Sequence, residues 1–120
     1  MKDTVTDISE LADVQGFIGA CLVDGETGLM LASEGGGSLD LEIASASNTE
    51  FIKAKHSTMR HLALDGRIED ILITLTSQIH LIRMLESNPS IFLYLALDRK
   101  EANLGLARIM MKRVEQTINV

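Results

Sequence analysis

Aromatic residues are almost missing from this chain: three Phe, one Tyr and no Trp in 120 residues. The core must therefore be aliphatic, and stacking readout of single-stranded nucleic acid has almost nothing to work with. Positive charge is also short. Eleven Lys and Arg against seventeen Asp and Glu leave a net charge of −6, opposite in sign to what a phosphate-tracking surface requires, so no nucleic-acid partner is expected. A single Cys excludes an intrachain disulfide and suits a reducing compartment. The longest apolar stretches have strand length, far below the ~20 residues of a spanning helix. The N-terminal MKDTVTDISEL carries acids and no apolar signal region. The expectation is a cytoplasmic protein with no membrane insertion.

Catalytic patterns are missing as well. Gly35-Gly36-Gly37 lacks the Lys-Ser/Thr that completes a phosphate-binding loop. G-x-S-x-G, H-E-x-x-H and C-x-x-C do not occur. His56 and His61 would lie about 140° apart on a helix, which is not a metal-binding pair. His80 falls in a strand, and Cys21 sits in an apolar strand where a small buried thiol fits. No catalytic residue, cofactor or metal is expected.

What is present is 46% apolar residues with one Pro, enough for one globular domain spanning residues 1–120. Val5, Ile8, Leu11 and Ala12 suggest a first short helix, with Thr4 as N-cap, Asp7 three residues later and Gly16 as its stop. Phe17 to Val23 and Leu29 to Ser33 flank the turn cluster Asp24 to Gly28 and read as a hairpin. Gly19 inside its first strand indicates close approach by another element. Asp40 to Leu64 holds neither Pro nor Gly and reads as one helix of about 24 residues, roughly 36 Å long. Leu41, Ala44, Phe51, Ile52, Met59, Leu62 and Ala63 fall on one face, interrupted by Asn48 and Lys55. A second, weaker stripe holds Ile43, Ser47, Ala54 and Thr58.

Three strands follow, Ile68 to Thr76, Ile79 to Leu85 and Ile91 to Leu97, and both parities carry apolar residues, so both sheet faces should be covered. A last helix carries Leu104, Ala107, Met111, Val114 and Ile118 on one face, with Leu106 and Met110 in the same apolar stripe. Asp98 and Glu101 are spaced as its N-cap and N3. Gly105 within it suggests tight packing on the sheet, and Arg108 is placed for a surface ion pair or a solvated charge. The element order is α-β-β-α-β-β-β-α, an α/β (α+β) domain with a central antiparallel five-stranded sheet and helices on both faces.

Three segments of this chain resemble the roadblock/LC7 family, whose fold is a profilin-like sandwich with the same element order. Gly16-Phe17-Ile18-Gly19-Ala20-Cys21-Leu22-Val23-Asp24 is similar to its first strand, and Gly28-Leu29-Met30-Leu31-Ala32-Ser33 to its second. Asn103-Leu104-Gly105-Leu106-Ala107-Arg108 resembles its last-helix signature. The resemblance implies a dimer, of this chain with itself or with a roadblock paralogue, built from the long helix and the strand after it. The residues point the same way: a sheet ~20 Å wide leaves surface on a longer helix, and an apolar edge strand without Pro needs cover. The expected interface is Leu41, Asn48, Ile52, Lys55, Met59, Ile71, Ile73 and Leu75.

The resemblance further implies a non-catalytic scaffold or regulator of a Ras-like small GTPase. Glu42, Glu50, Lys53, His56, Ser57 and Arg60 are the expected partner-binding positions. The alternative is a small-ligand-sensing or structural domain unconnected with a GTPase. Few aromatics and no convergent polar cluster give that alternative thin support.

Overall fold

The computed structural model describes residues 4–120. Met1, Lys2 and Asp3, the start of the stretch read above as lacking a signal region, lie outside the described residues. A 3-10 helix at Ser9–Asp13 leads into strands β1 (Phe17–Asp24) and β2 (Met30–Gly35). Helix α1 (Leu41–His61) follows, then β3 (Asp70–Thr74), β4 (Gln78–Met84), β5 (Ile91–Asp98) and helix α2 (Leu104–Glu115). The sheet is antiparallel in the order β2-β1-β5-β4-β3, so β2 and β3 are its edges. No helix among the described residues is long and apolar enough to cross a membrane.

Central β5 explains why both parities of the strands are apolar. All of Ile91 to Leu97 is buried. Leu93, Leu95 and Leu97 point to a layer with Ala20, Leu22 and Leu81, closed by Ala107, Met111 and Val114 of α2. Phe92, Tyr94 and Ala96 point the other way, to Cys21, Val23, Ile82 and Met84, closed by Leu41 and Ile52 of α1. Two aliphatic cores thus sit on opposite faces of one sheet, and each helix is held by the face it covers.

The first element differs from the α-helix expected over Val5 to Ala12. Ile8, Leu11 and Val14 are all buried, a step of three that a 3-10 turn lines up on one side better than 3.6 residues per turn. Val5 pairs instead with Asn119, donating and accepting backbone hydrogen bonds of 2.8 and 2.9 Å. Asp7 Oδ1 accepts from the Ser9 amide at 2.9 Å, so neither Thr4 nor Asp7 caps a helix there. Strand β3 is also shorter than the Ile68–Thr76 run, because its residue-by-residue register with β4 extends only from Asp70 to Thr74.

Two boundaries of α1 have clear causes. Asp40 caps it, accepting from the amides of Glu42 and Ile43. At the other end Leu64 N donates to Met59 O and Ala63 N to Arg60 O, at 2.9 and 3.0 Å, with Ala63 at φ +54°. This is a Schellman stop with alanine where glycine is preferred, and it ends the helix three residues before the expected Leu64. Ala63→Gly is expected to stabilise the protein by about 0.5–1 kcal/mol, since the left-handed conformation penalises Cβ. A urea midpoint unchanged or lowered in that variant would contradict this reading.

Asp98 and Glu101 do not cap α2. The Asp98 carbonyl and carboxylate instead close a turn onto Lys100, Glu101 and Ala102. Asn103 is the cap, its Oδ1 accepting from Leu106 N at 3.1 Å. Leu106 is exposed rather than packed on the sheet, being rotated away from the Ala107, Met111 and Val114 face. Gly105 is exposed too, and a Cβ there would meet only Asn103 Oδ1 at 3.7 Å, so tight packing does not explain it. In the Gly35-Gly36-Gly37 run, by contrast, Gly36 has φ +110°, and a Cβ on Gly19 would lie 2.8 Å from its Cα. The run is a close crossing between β2 and α1.

Candidate partner-binding surface

Helix α1 has three sides with different chemistry. Leu41, Ser45, Thr49 and Ile52, at steps of four, four and three, face the sheet. Ser45 Oγ donates to Leu41 O and Thr49 Oγ1 to Ser45 O, each at 2.7 Å, so both buried hydroxyls are satisfied by the preceding turn. Cys21 Sγ lies 3.4 Å from Ser45 Oγ, and burial pushes its thiol up from the usual value, only partly offset by that contact. The thiol is an inert part of the core.

This placement corrects the expected apolar face. Phe51 (45% exposed) and Leu62 (61%) lie outside it, while Leu41 (8%) and Ile52 (7%) are core. Leu41 and Ile52 were expected at a dimer interface, but their side chains are already covered by the sheet. Of the other interface positions, Asn48, Met59, Ile71 and Ile73 are half-buried, and Lys55 and Leu75 are exposed. Asn48 Nδ2 donates to Ala44 O at 2.8 Å.

A second side carries Glu42, Glu50, Lys53, His56, Ser57 and Arg60. They share about 120° of the helix surface, and Glu42, Lys53 and His56 among them lie against the β1–β2 turn. Lys53 Nζ donates to Glu26 O at 3.2 Å and approaches Glu50 at 3.8 Å; with both side chains solvated that ion pair contributes little. His56 and Ser57 are half-buried. His56 stands at the mouth of a cleft of about 240 Å³ floored by Ile52, Met84 and Phe92. The structure therefore groups the six charged and polar residues on one flank, apart from the core.

The third side of α1 is apolar and uncovered. Ile43 (64% exposed), Phe51 and Leu62, with exposed Ser47, Ala54 and Thr58 among them, form a stripe lying about 145° round the helix from the core face. On the sheet, β3 is an edge strand with no further strand partner among the described residues.

Two polar groupings were invisible in the sequence. Arg83 of β4 pairs with Glu115 of α2, which is buried and also accepts from Glu86 N at 2.6 Å. On the α1 face, Tyr94 Oη lies 3.2 Å from His80 Nδ1, and His80 Nε2 lies 2.8 Å from Gln78 Oε1. The two rings meet edge-on at 5.2 Å. Burial lowers the His80 value and, with Cys21 nearby, pushes the Tyr94 phenol up to about 12. The pairs are separated by 32 and 14 positions, so no local motif marks them. Arg108 does form the ion pair considered for it, with Asp70 at 3.0 Å. Among the described residues no group of three or more His, Cys, Asp or Glu is placed to hold a metal ion.

A five-stranded antiparallel sheet in this order, with one long helix between β2 and β3, is shared with several solved structures. A roadblock/LC7 domain from Streptomyces avermitilis superposes with a TM-score of 0.75 at 15% identity, covering 90% of this chain and 87% of that one. The chain has the roadblock/LC7 fold. Myxococcus xanthus MglB superposes at 0.72 and 16% identity, over 83% of this chain and 72% of its own. The gliding protein MglB of Thermus thermophilus gives 0.72 and 18%, over 89% and 78%. No family model and no curated protein matches the sequence. The roadblock/LC7 likeness is thus one of backbone architecture, the element order being the expected one but for its 3-10 start.

Proposed function

We propose that this chain is a non-catalytic dimeric platform that binds a Ras-like small GTPase and neither binds nor hydrolyses nucleotide itself. The observation that carries the reading is the division of α1 into a core face, an uncovered apolar stripe and a charged flank. On a roadblock/LC7 fold, which the resemblance associates with GTPase regulation, those two free sides have separate uses. The stripe and the β3 edge, with Asn48, Lys55, Met59, Ile71, Ile73 and Leu75, form the dimer interface. The flank with Glu42, Glu50, Lys53, His56, Ser57 and Arg60 receives the GTPase.

Pairing β3 with a partner's strand satisfies its free backbone groups and removes an aggregation-prone edge. A specific dimer needs about 800 Å² per partner. The stripe alone, ~29 Å long, falls short of that, so the strand edge has to contribute. Light scattering is expected to give twice the 13.1 kDa chain mass. Ile73→Lys, which sets a charge on the shared edge, should shift the protein to the single-chain mass; an unchanged dimer would exclude β3 from the interface.

The functional test is binding to the host's small GTPases in both nucleotide states. Lys53→Glu combined with Arg60→Glu reverses two charges on the flank without touching the core, and should weaken GTPase binding tenfold or more, on the order of 1.4 kcal/mol, while leaving the dimer mass intact. Equal binding by the double variant would move the GTPase site elsewhere.

A further inference from the structure

Four elements wall the cleft beside His56: the second half of α1, the β1–β2 turn, the end of β4 and the turn before β5. Hydrogen bonds fix those walls. Gly25 N donates to Ser90 O at 2.7 Å and joins the two turns. Lys53 Nζ donates to Glu26 O at 3.2 Å and joins α1 to the first of them. Each turn is also closed on itself, Gly28 N donating to Asp24 O at 2.8 Å and Ile91 N to Asn88 O at 3.0 Å. A Cβ on Gly25 would lie 2.7 Å from Ser90 O, so glycine is what lets the turns meet. The cleft is therefore preformed, as small-molecule sites generally are.

Its chemistry is divided between floor and rim. Ile52, Met84 and Phe92 make an apolar floor, and Pro89 adds a fourth apolar surface. At the rim stand two donors. The Lys53 ammonium has three N–H groups and gives one to Glu26 O. Glu50 approaches it only at 3.8 Å, and a solvated pair of that kind holds the ammonium weakly, so Lys53 can turn to a ligand. Half-buried His56 has no hydrogen-bond partner among the described residues. The one acid on the lining, Glu26, is exposed. A single cation with an imidazole beside it suits one negative charge, not a doubly charged phosphate. The volume of about 240 Å³ equals that of about eight waters and lies below the ~300 Å³ at which drug-sized sites begin.

We propose that this cleft binds a small monocarboxylic acid with a compact apolar body, a branched aliphatic chain or a single ring. The body rests on Ile52, Met84 and Phe92, and the carboxylate accepts from Lys53 Nζ and His56. The inference stands apart from the dimer and GTPase readings and holds whether or not a GTPase docks on the outside of the same flank.

Phenylacetate and isocaproate are the probes, read on the methionine methyl resonances of the intact protein. Met84 lies on the cleft floor, whereas Met110 and Met111 belong to the other face of the sheet and serve as the internal control. Both acids should shift the Met84 methyl saturably, with a Kd of about 0.1–1 mM for ligands of this size, and leave Met110 and Met111 in place. Phenylacetamide keeps the ring without the charge, and acetate keeps the charge without the body; each should bind at least tenfold more weakly than phenylacetate. Lys53→Met, at an exposed position, should weaken phenylacetate tenfold or more and leave phenylacetamide unaffected. A Met84 methyl unmoved by either acid at about 10 mM, well above the expected Kd, or shifts as large at Met110 and Met111, would overturn the site. Equal binding of acid and amide, of acetate and phenylacetate, or of phenylacetate to Lys53→Met and to the unsubstituted chain, would overturn the assigned ligand class.

Discussion

Glu115→Ala is expected to destabilise the protein by about 3 kcal/mol, the lower end of the range for breaking one side of a buried ion pair. The Glu115 side chain is 6% exposed and that of Arg83 21%. Removing the carboxylate leaves the guanidinium under α2 without its partner and the Glu86 amide without its acceptor. The lower end applies because Arg83 retains some access to water. Glu115→Gln keeps an acceptor for that amide and should be milder. Urea melts at one fixed chain concentration, so that dimerisation does not enter the comparison, give the measurement. A loss below about 1 kcal/mol, the scale of an exposed pair, would show that the contact does not hold α2 to β4.

The second large effect is alkaline. Tyr94 is the chain's single Tyr and there is no Trp, so tyrosinate absorbance reports one group. Its folded value of about 12, against the ordinary 10, comes first from burial and then from neighbouring Cys21. A raised value means the neutral phenol is favoured in the folded chain. The associated stability is complete below pH 10 and is lost as pH rises through 12, at about 1.4 kcal/mol per pH unit. The folded protein should titrate near pH 12, and Tyr94→Phe should flatten the fall in stability above pH 10. A midpoint at 10 while the protein remains folded would contradict the buried placement of the ring beside His80.

Element order was legible because strong local signals mark it. Asp24 to Gly28, the glycine run and Glu86 to Ser90 are breakers, and the apolar runs between them have strand length. The orientation of α1 was not legible from hydropathy. Ser45 and Thr49 are buried because their hydroxyls bond the preceding turn, while Phe51 and Leu62, more apolar than either, are left outside. Hydropathy ranks those four residues the wrong way round, because a hydroxyl bonded to the carbonyl of the preceding turn is satisfied when buried. The weaker stripe of Ile43, Ser47, Ala54 and Thr58 was visible in the spacing, but Phe51 and Leu62 join it only once the core face is known. The N-terminal turn was misjudged for another reason. Val5 finds its hydrogen bonds on Asn119, at the far end of the chain. The Arg83–Glu115 pair likewise depends on α2 crossing β4.

The central claim is that a dimer of this chain presents the α1 flank to a small GTPase. Calorimetric titration of the purified dimer with each of the host's Ras-like GTPases, loaded with GDP and with a GTP analogue, tests it most directly. The account predicts saturable binding by at least one GTPase, with a preference between nucleotide states, lost on Lys53→Glu with Arg60→Glu and accompanied by no heat when GTP alone is added. Absence of binding to every GTPase in both states, or micromolar binding of GTP by the isolated dimer, would contradict it.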